Sequence, residues 1–370
     1  MPSEELPHRS ESMGGDLREQ ESLGHCYYRR EINLGGGKCM KKLINEVDNV
    51  VDEMLEGMVA AYPQYIRRLE GFDVVVRAGG SQGKVALVSG GGSGHEPAHG
   101  GYVGKGMLDG AIAGAVFTSP TPDQVYEAIK AADGGKGVLL VIKNYTGDVM
   151  NFEMAADMAR DEGIEVDQVI TADDVAVENS TWTTGRRGIA GTIFVHKIAG
   201  ACAEAGGSLA DVKAVAEKVI ANVRSMGMAV DACTVPAAGK PSFDLAEDEI
   251  EIGIGIHGEP GVNREKIGTV NEIADKLLDK IFAEGIYNSG DEVAVMVNGM
   301  GGTPLMELFI ANKHVKEVLD SKGIKIAKTL VGNYMTSLDM EGFSITLLKV
   351  DDELKKLLEA PADTPAFVQA

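Results

Sequence analysis

The sequence is poor in positive charge and in cysteine, and it has no long apolar run. Its 35 Lys and Arg stand against 56 Asp and Glu, a formal net charge of -21. Nucleic acid and anionic membranes both reward Lys and Arg, so this balance argues against either as a partner. No stretch approaches the roughly 20 apolar residues of a membrane span. The four cysteines make no Cys-x-x-Cys pair and no disulfide framework, so a reducing cytoplasm is the expected setting. Cys26 and Cys39 fall in the N-terminal tail, Cys202 in a predicted helix and Cys233 in a predicted strand spanning 230–235.

Glycine, in contrast, is abundant: 47 of 370 residues, about twice ordinary usage. It clusters at turns, where backbone must come close to something. A chain of 370 residues with 44% hydrophobic and 25% charged side chains is globular, soluble and long enough for two ordinary domains. Residues 1–39 are polar and unpatterned, and they lack the apolar core of a signal peptide. An amphipathic pattern (Leu43, Ile44, Val47, Val50, Val51, Met54, Leu55) begins at Met40. The working protein is therefore expected to start there, with 1–39 a disordered leader or start-site artefact. Peptides from 1–39 in native material would refute this.

From residue 73 onward, short apolar runs alternate with helical patterns. Strands are expected at 73–77, 84–89, 111–117, 137–143, 166–171, 249–256, 292–297, 325–331 and 343–350. Helices are expected at 40–61, 122–132, 150–162, 187–206, 209–226, 268–285, 304–320 and 351–359. Thr121-Pro-Asp-Gln124 reads as a capping box with Pro at the first helical position, and Ser208-Leu-Ala-Asp211 as its acidic version. Thr303-Pro304 reads as the opening of the helix at 304. Strands separated by helices predict an α/β fold, each domain a central sheet with flanking helices. The expected division falls near residue 225, giving domains 40–225 and 226–370.

The most informative segment is Glu251-Ile-Gly-Ile-Gly-Ile-His-Gly-Glu-Pro-Gly261. Its alternation predicts a half-buried strand ending in His257, followed by a turn. An unperturbed imidazole near neutral pH is largely uncharged and nucleophilic, which suits attack on a carbonyl carbon. Three other predicted strand ends carry polar, glycine-rich loops: Ser89–Pro97, Phe117–Thr121 and Lys143–Asp148. In open α/β sheets ligands bind beyond the carboxyl ends of the strands. If the strands are parallel, Gly92, Ser93, Gly94, His95, Ser119, Lys143 and Asp148 converge on one edge. A His and an Asp beside a Lys can serve as base, orienter and positive anchor for a small hydroxylated molecule.

Several patterns match motifs that their context denies. His95-Glu-Pro-Ala-His99 fits His-Glu-x-x-His, but Pro97 and the flanking glycines deny it the helix that a zinc site needs. Gly253-Ile-Gly-Ile-His-Gly258 fits Gly-x-Gly-x-x-Gly but runs into Glu259-Pro260 instead of a helix. Gly100–Gly106 resembles a phosphate loop, yet Gly106 stands where Ser or Thr should bind magnesium. No nucleotide cradle is visible, and no metal site is expected. Against the functional readings stand structural ones. Turns favour histidine, Lys143 and Asp148 could serve as a solvated loop or a cap of the helix near 150, and His8, His196 and His314 read as structural.

The motifs taken together go further. Ser89–Pro97, Phe117–Asp123, Lys143–Asp148, Thr234–Phe243, Gly255–Gly261 and Thr336–Val350 resemble, in order, the substrate-binding K subunits of dihydroxyacetone (glycerone) kinases. The resemblance covers Met40 to about Phe367. It implies two α/β domains, a homodimer, and dihydroxyacetone bound covalently through its carbonyl carbon to the ring nitrogen of His257, as a hemiaminal. By the same resemblance Gly92, Ser93 and Gly94 offer backbone contacts, Lys143 and Asp148 hydrogen-bond the substrate hydroxyls, and His95 accepts the proton, with Asp148 as rival base. It further implies no cofactor on this chain. ADP or ATP with magnesium would sit on a separate L subunit, either as direct donor or rephosphorylated by a phosphohistidine relay protein fed from phosphoenolpyruvate. Two other readings stay open: a dihydroxyacetone-sensing coactivator of a transcription regulator, and a kinase for a related ketose such as erythrulose.

Overall fold

The computed structural model describes residues 41–81, 83–178, 184–259 and 261–370. The expected leader 1–39 and the start at Met40 lie outside them. The first sheet contains β1 (Ile66–Arg68), β2 (Val74–Arg77), β3 (Ala86–Ser93), β4 (Gly110–Val116), β5 (Val138–Lys143) and β6 (Val166–Thr171), in the order β1-β2-β4-β3-β5-β6. Strands β4, β3, β5 and β6 are parallel, and β1 and β2 form an antiparallel edge. Every residue of β5 is buried, as a parallel strand covered on both faces requires. Helices α1 (Val50–Ala61), α2 (Pro122–Ala132) and α3 (Thr146–Asp161) flank this sheet.

Helices α4 (Thr192–Glu204) and α5 (Leu209–Asn222) lead to the second sheet. It comprises β7 (Val223–Asp231), β8 (Glu249–Ile252), β9 (Asn263–Lys266), β10 (Glu292–Gly299), β11 (Lys325–Gly332) and β12 (Glu341–Val350), ordered β11-β10-β12-β7-β8-β9. Here only β10 and β11 pair in parallel. Helices α6 (Val270–Phe282), α7 (Leu305–Ser321) and α8 (Asp352–Glu359) belong to this half, and a short ribbon of β13 (Ala362–Asp363) and β14 (Val368–Gln369) follows. The fold is α/β, with two six-stranded sheets flanked by helices.

Helix α4 ties the halves together. It is buried almost throughout, including its polar Thr192, His196 and Lys197. Its Ile193, Phe194 and Ile198 join one apolar cluster with Leu139 and Val141 of β5 and with Ala294 and Met296 of β10.

Several expectations need correction. The strand expected at 249–256 stops at Ile252, because Gly253 takes a left-handed φ of 78° and turns the chain out of the sheet. Ile254 and Ile256 remain fully buried, so the apolar alternation reports burial on both sides of the bend. The strand expected at 84–89 instead runs to Ser93, which puts Gly92 and Ser93 in β3 and not in a loop. Residues 223–226 begin β7 instead of ending a helix, and Cys233 lies beyond β7. The first helix starts at Val50 after a single 3-10 turn. Thr121 makes no side-chain cap, whereas Ser208 and Asp211 form the full box. Pro304 is the N-cap of α7, since the Thr303 hydroxyl is drawn to the backbone of Gly342.

Candidate active site

Three parallel neighbours, β4, β3 and β5, end on one edge, and the loop carrying His257 approaches that edge from the second sheet. Between them lies a cavity of about 510 Å³ lined by Gly92, Phe117, Ser119, Tyr145, Asp148, His257 and Glu259 among others. Such a volume is ordinary for a small-molecule site.

His257 sits five residues past the end of β8, anchored by buried Ile254 and Ile256. Each fully buried isoleucine is worth roughly 1.5–3 kcal/mol, which pins the loop despite its glycines. The loop then folds onto itself. Glu259 Oε2 accepts from the His257 backbone N–H at 2.9 Å, and Oε1 lies 3.0 Å from Nδ1. A Cβ on Gly255 would collide with the Glu259 carboxylate, so this turn needs glycine. Burial alone would raise the Glu259 carboxyl, but the His257 hydrogen bond and the Arg187 charge hold it at about 2. An ionised carboxylate only accepts, so Nδ1 of His257 carries a hydrogen, and in the neutral ring Nε2 keeps its lone pair. The ring is wedged edge-on among Tyr145, His95 and Phe117, at centroid distances of 4.5, 4.8 and 5.3 Å. Its side chain is 18% exposed, enough for a small ligand to reach.

His95 is fully buried beside it. Its Nδ1 lies 2.8 Å from the carbonyl oxygen of Thr336, so Nδ1 is the donor and Nε2 the free acceptor. Burial, then the neighbouring His257 and Lys143, push its pKa well below the usual histidine range. Asp148 lies in the first turn of α3, and not at the cap position, which Tyr145 occupies without a side-chain cap bond. Lys143, at the end of β5, places Nζ 4.0 Å from Asp148 Oδ2 and 3.1 Å from the Gly90 carbonyl oxygen. Burial lowers its pKa, and Asp148 counters that. A Cβ on Gly91, at φ 153°, would strike this ammonium.

Among the described residues, three buried polar atoms near the cavity have no partner: His95 Nε2, Asp148 Oδ1 and the Tyr145 hydroxyl. Buried groups of this kind are costly unless something meets them.

The expected site residues thus divide. Gly92, Ser119, Asp148 and His257 line the cavity, while His95 and Lys143 stand behind them in contact with the lining. Ser93 directs its hydroxyl to the Gly114 carbonyl oxygen, and the Gly94 amide donates to Glu96 Oε1, so both are engaged within the protein. Sequence reasoning did not single out Glu259, Arg187, Tyr145 or Phe117 as site residues. Only Glu259 carried a signal, two positions after His257. Residues 95–99 form a turn, as Pro97 and the glycines require. The glycines at 104 and 106 pack against the backbone of Asp363 and Pro361, so close approach to the C-terminal segment explains that run.

Comparison with known proteins agrees with this geometry. The chain is 57% identical over 329 residues (89% of this chain, 100% of the relative) to the dihydroxyacetone-binding subunit of PTS-dependent dihydroxyacetone kinase 1 from Listeria innocua. Among solved structures, it matches the C. freundii dihydroxyacetone kinase in complex with AMP-PNP and Mg2+ at TM-score 0.82 and 36% identity. That match covers 90% of this chain and 61% of the other. It also matches the dihydroxyacetone kinase operon co-activator Dha-DhaQ at TM-score 0.81 and 39% identity, covering 86% and 98%. The Dak1 domain pattern spans residues 56–366, and with the paired sheets and the His257 cavity it shows that this chain belongs to the Dak1 family.

Proposed function

We propose that this chain is the dihydroxyacetone-binding subunit of a multi-subunit dihydroxyacetone kinase and presents the ketone for phosphoryl transfer. The observation that carries the reading is the fixed tautomer of His257: Nδ1 bound to the Glu259 carboxylate and Nε2 free beside the cavity. Nε2 attacks the carbonyl carbon and forms one C–N bond, while the carbonyl π pair moves to oxygen. The oxygen takes a proton from water, and the imidazole passes its Nδ1 proton by way of Glu259 to solvent, so the adduct is a neutral hemiaminal with no net change in protons. With no second hydrogen on the attacking nitrogen, the adduct cannot lose water to an imine as a lysine adduct would. Glycerol has no carbonyl and is not retained. Once anchored, the sugar holds a terminal hydroxyl for attack, with its proton passing to His95 Nε2 or Asp148 Oδ1.

The phosphoryl donor in this reading is ADP or ATP with magnesium on a separate L-type subunit. The cavity is larger than a three-carbon sugar fills, which leaves room for its phosphates. The name of the Listeria relative favours recharging by a phosphohistidine relay over free ATP. The apolar face of α7 (Leu305, Met306, Phe309 and Ile310, each about half exposed or more) is surface available to a homodimer. Free Cys202 and Cys233 suit a reducing cytoplasm. No helix among the described residues is long and apolar enough to cross a membrane. The division into domains 40–225 and 226–370 belongs to the same proposal, supported by the two sheets.

Similarity to the Dha-DhaQ co-activator favours a second reading, a dihydroxyacetone sensor without turnover. His95 and Asp148 argue for the enzyme, since a sensor needs only the binding histidine. One experiment separates them: carbonyl-labelled dihydroxyacetone is mixed with the protein and an ATP-loaded L-type subunit, and the labelled carbon is followed by NMR. A tetrahedral carbon signal that disappears in His257→Ala, together with phosphate ester formation, supports the kinase. An adduct without ester supports the sensor, and unchanged binding by His257→Ala refutes both. His95→Ala and Asp148→Asn are expected to keep the adduct and lose turnover. Undiminished turnover in either variant removes that residue from the mechanism.

A further inference from the structure

Two buried histidines take no direct part in this mechanism. His99 ends the turn at 95–99, and His196 lies in the middle of α4, a position that reads from sequence as structural. Their side chains form a chain to the site. Lys143 Nζ lies 2.9 Å from His99 Nε2, and His99 Nδ1 lies 3.0 Å from His196 Nε2. Neither ring is more than 5% exposed, and Lys143 is fully buried. An ammonium has three hydrogens to place and accepts nothing. One goes to the Gly90 carbonyl oxygen at 3.1 Å. The second needs an acceptor, and His99 Nε2 is the atom in position. The third faces Asp148 Oδ2, 4.0 Å away, on the cavity side.

We propose that His99 and His196 are positioning residues that hold the Lys143 ammonium on its cavity-facing axis and keep it charged for contact with a ligand hydroxyl. The tautomers follow from the geometry. If Nε2 of His99 accepts from Lys143, its hydrogen sits on Nδ1 and donates to His196 Nε2, with Ser89 Oγ a poorer partner at 3.5 Å. His196 then carries its hydrogen on Nδ1, an atom with no other partner. Both rings must stay neutral for the chain to work. Burial first, and the Lys143 charge next, push both pKa values far below the ordinary histidine range. The titratable groups around Lys143 are Asp148 on α3, His95 and His99 on the turn, and His196 on α4. Among the described residues Asp148 alone supplies an opposing charge, and at 4.0 Å it makes no hydrogen bond.

This inference rests on the proposed role of Lys143 in binding, so the experiment tests both. Dihydroxyacetone affinity is measured by NMR of the labelled adduct across pH 6–10 for the wild-type protein, Lys143→Met, His99→Leu, His99→Gln and His196→Leu, with thermal melting to check folding. Losing a hydrogen bond to a charged group should weaken binding about tenfold in His99→Leu and move the alkaline limb of the affinity profile down by about one pH unit. His99→Gln, whose amide oxygen can accept, should recover most of that loss, and His196→Leu should show a smaller shift of the same sign. His99→Leu with wild-type affinity and an unshifted limb, while Lys143→Met binds weakly, overturns the positioning role and leaves the site reading intact. Wild-type affinity in Lys143→Met overturns both. If His99→Leu does not fold, nitrogen-15 NMR of the intact protein decides instead. Hydrogen on His99 Nδ1 agrees with the proposal, and hydrogen on Nε2 overturns it.

Discussion

At the residue scale, the chemistry depends on which nitrogen of His257 carries hydrogen. Glu259 decides that through Nδ1, and its bond to His257 together with the Arg187 charge keeps Glu259 ionised. Arg187 is itself held by Asp174, at 2.6 Å from Nη2, and by the Gly253 carbonyl oxygen at 2.8 Å. The nucleophile is therefore oriented by a carboxylate whose ionised form a nearby guanidinium charge favours. A hydrogen bond to a charged group is worth about 1.5–3 kcal/mol, or about 10–100-fold. Glu259→Gln is expected to weaken dihydroxyacetone adduct formation by about that factor while the protein stays folded. An unchanged adduct affinity would show that Glu259 does not set the tautomer.

Single elements can be separated from the site by their caps. Helix α6 begins with a capping box in which Thr269 and Glu272 exchange bonds between side chain and backbone. This box is exposed and does not line the cavity. Thr269→Ala should cost about 1 kcal/mol of stability, read by urea unfolding, without changing adduct affinity. A parallel loss of affinity would mean that the second sheet and the His257 loop do not behave independently of α6. Strand β3 is the opposite case. Its last residues, Gly90 to Ser93, are part of the site floor. Gly92 lines the cavity, and Gly91 leaves room for the Lys143 ammonium.

For the whole molecule, the buried histidines make stability depend on pH. His196 has a folded pKa of about 3 against an ordinary 6.5, and His95 and His99 are shifted in the same direction. Below 6.5 the unfolded chain takes up protons that the folded protein refuses. The stability is therefore fully present above about pH 6.5 and is lost as pH falls toward the folded values. For His196 alone the loss by pH 5 is about 2 kcal/mol. Urea unfolding at pH 7.5 and pH 5 should show a fall about 2 kcal/mol smaller in His196→Gln, while buried Asp174, raised to about 6, takes up a proton in the folded state and offsets part of the total. A pH 7.5 to 5 difference in His196→Gln equal to that of the wild-type protein would mean that this ring is not held neutral.

Element type was legible wherever the apolar period was clean. The strand at 166–171 and the helix at 122–132 match within the residue, and the α/β class follows from their alternation. The convergence of Gly92, Ser119 and Asp148 was legible too, because parallel neighbours send their carboxyl ends to one edge. His257 stood out through the glycines around it, and the likeness to dihydroxyacetone kinase K subunits lay in motifs written along the chain. The bend at Gly253 was not legible, since buried isoleucines alternate with glycine whether the backbone is paired or not. Nor was the partner of His95, Thr336, or the run from Lys143 through His99 to His196. Those contacts join positions between 44 and 241 residues apart. A local pattern carries the propensity of its own segment, whereas a hydrogen bond between distant segments exists only once packing has brought them together.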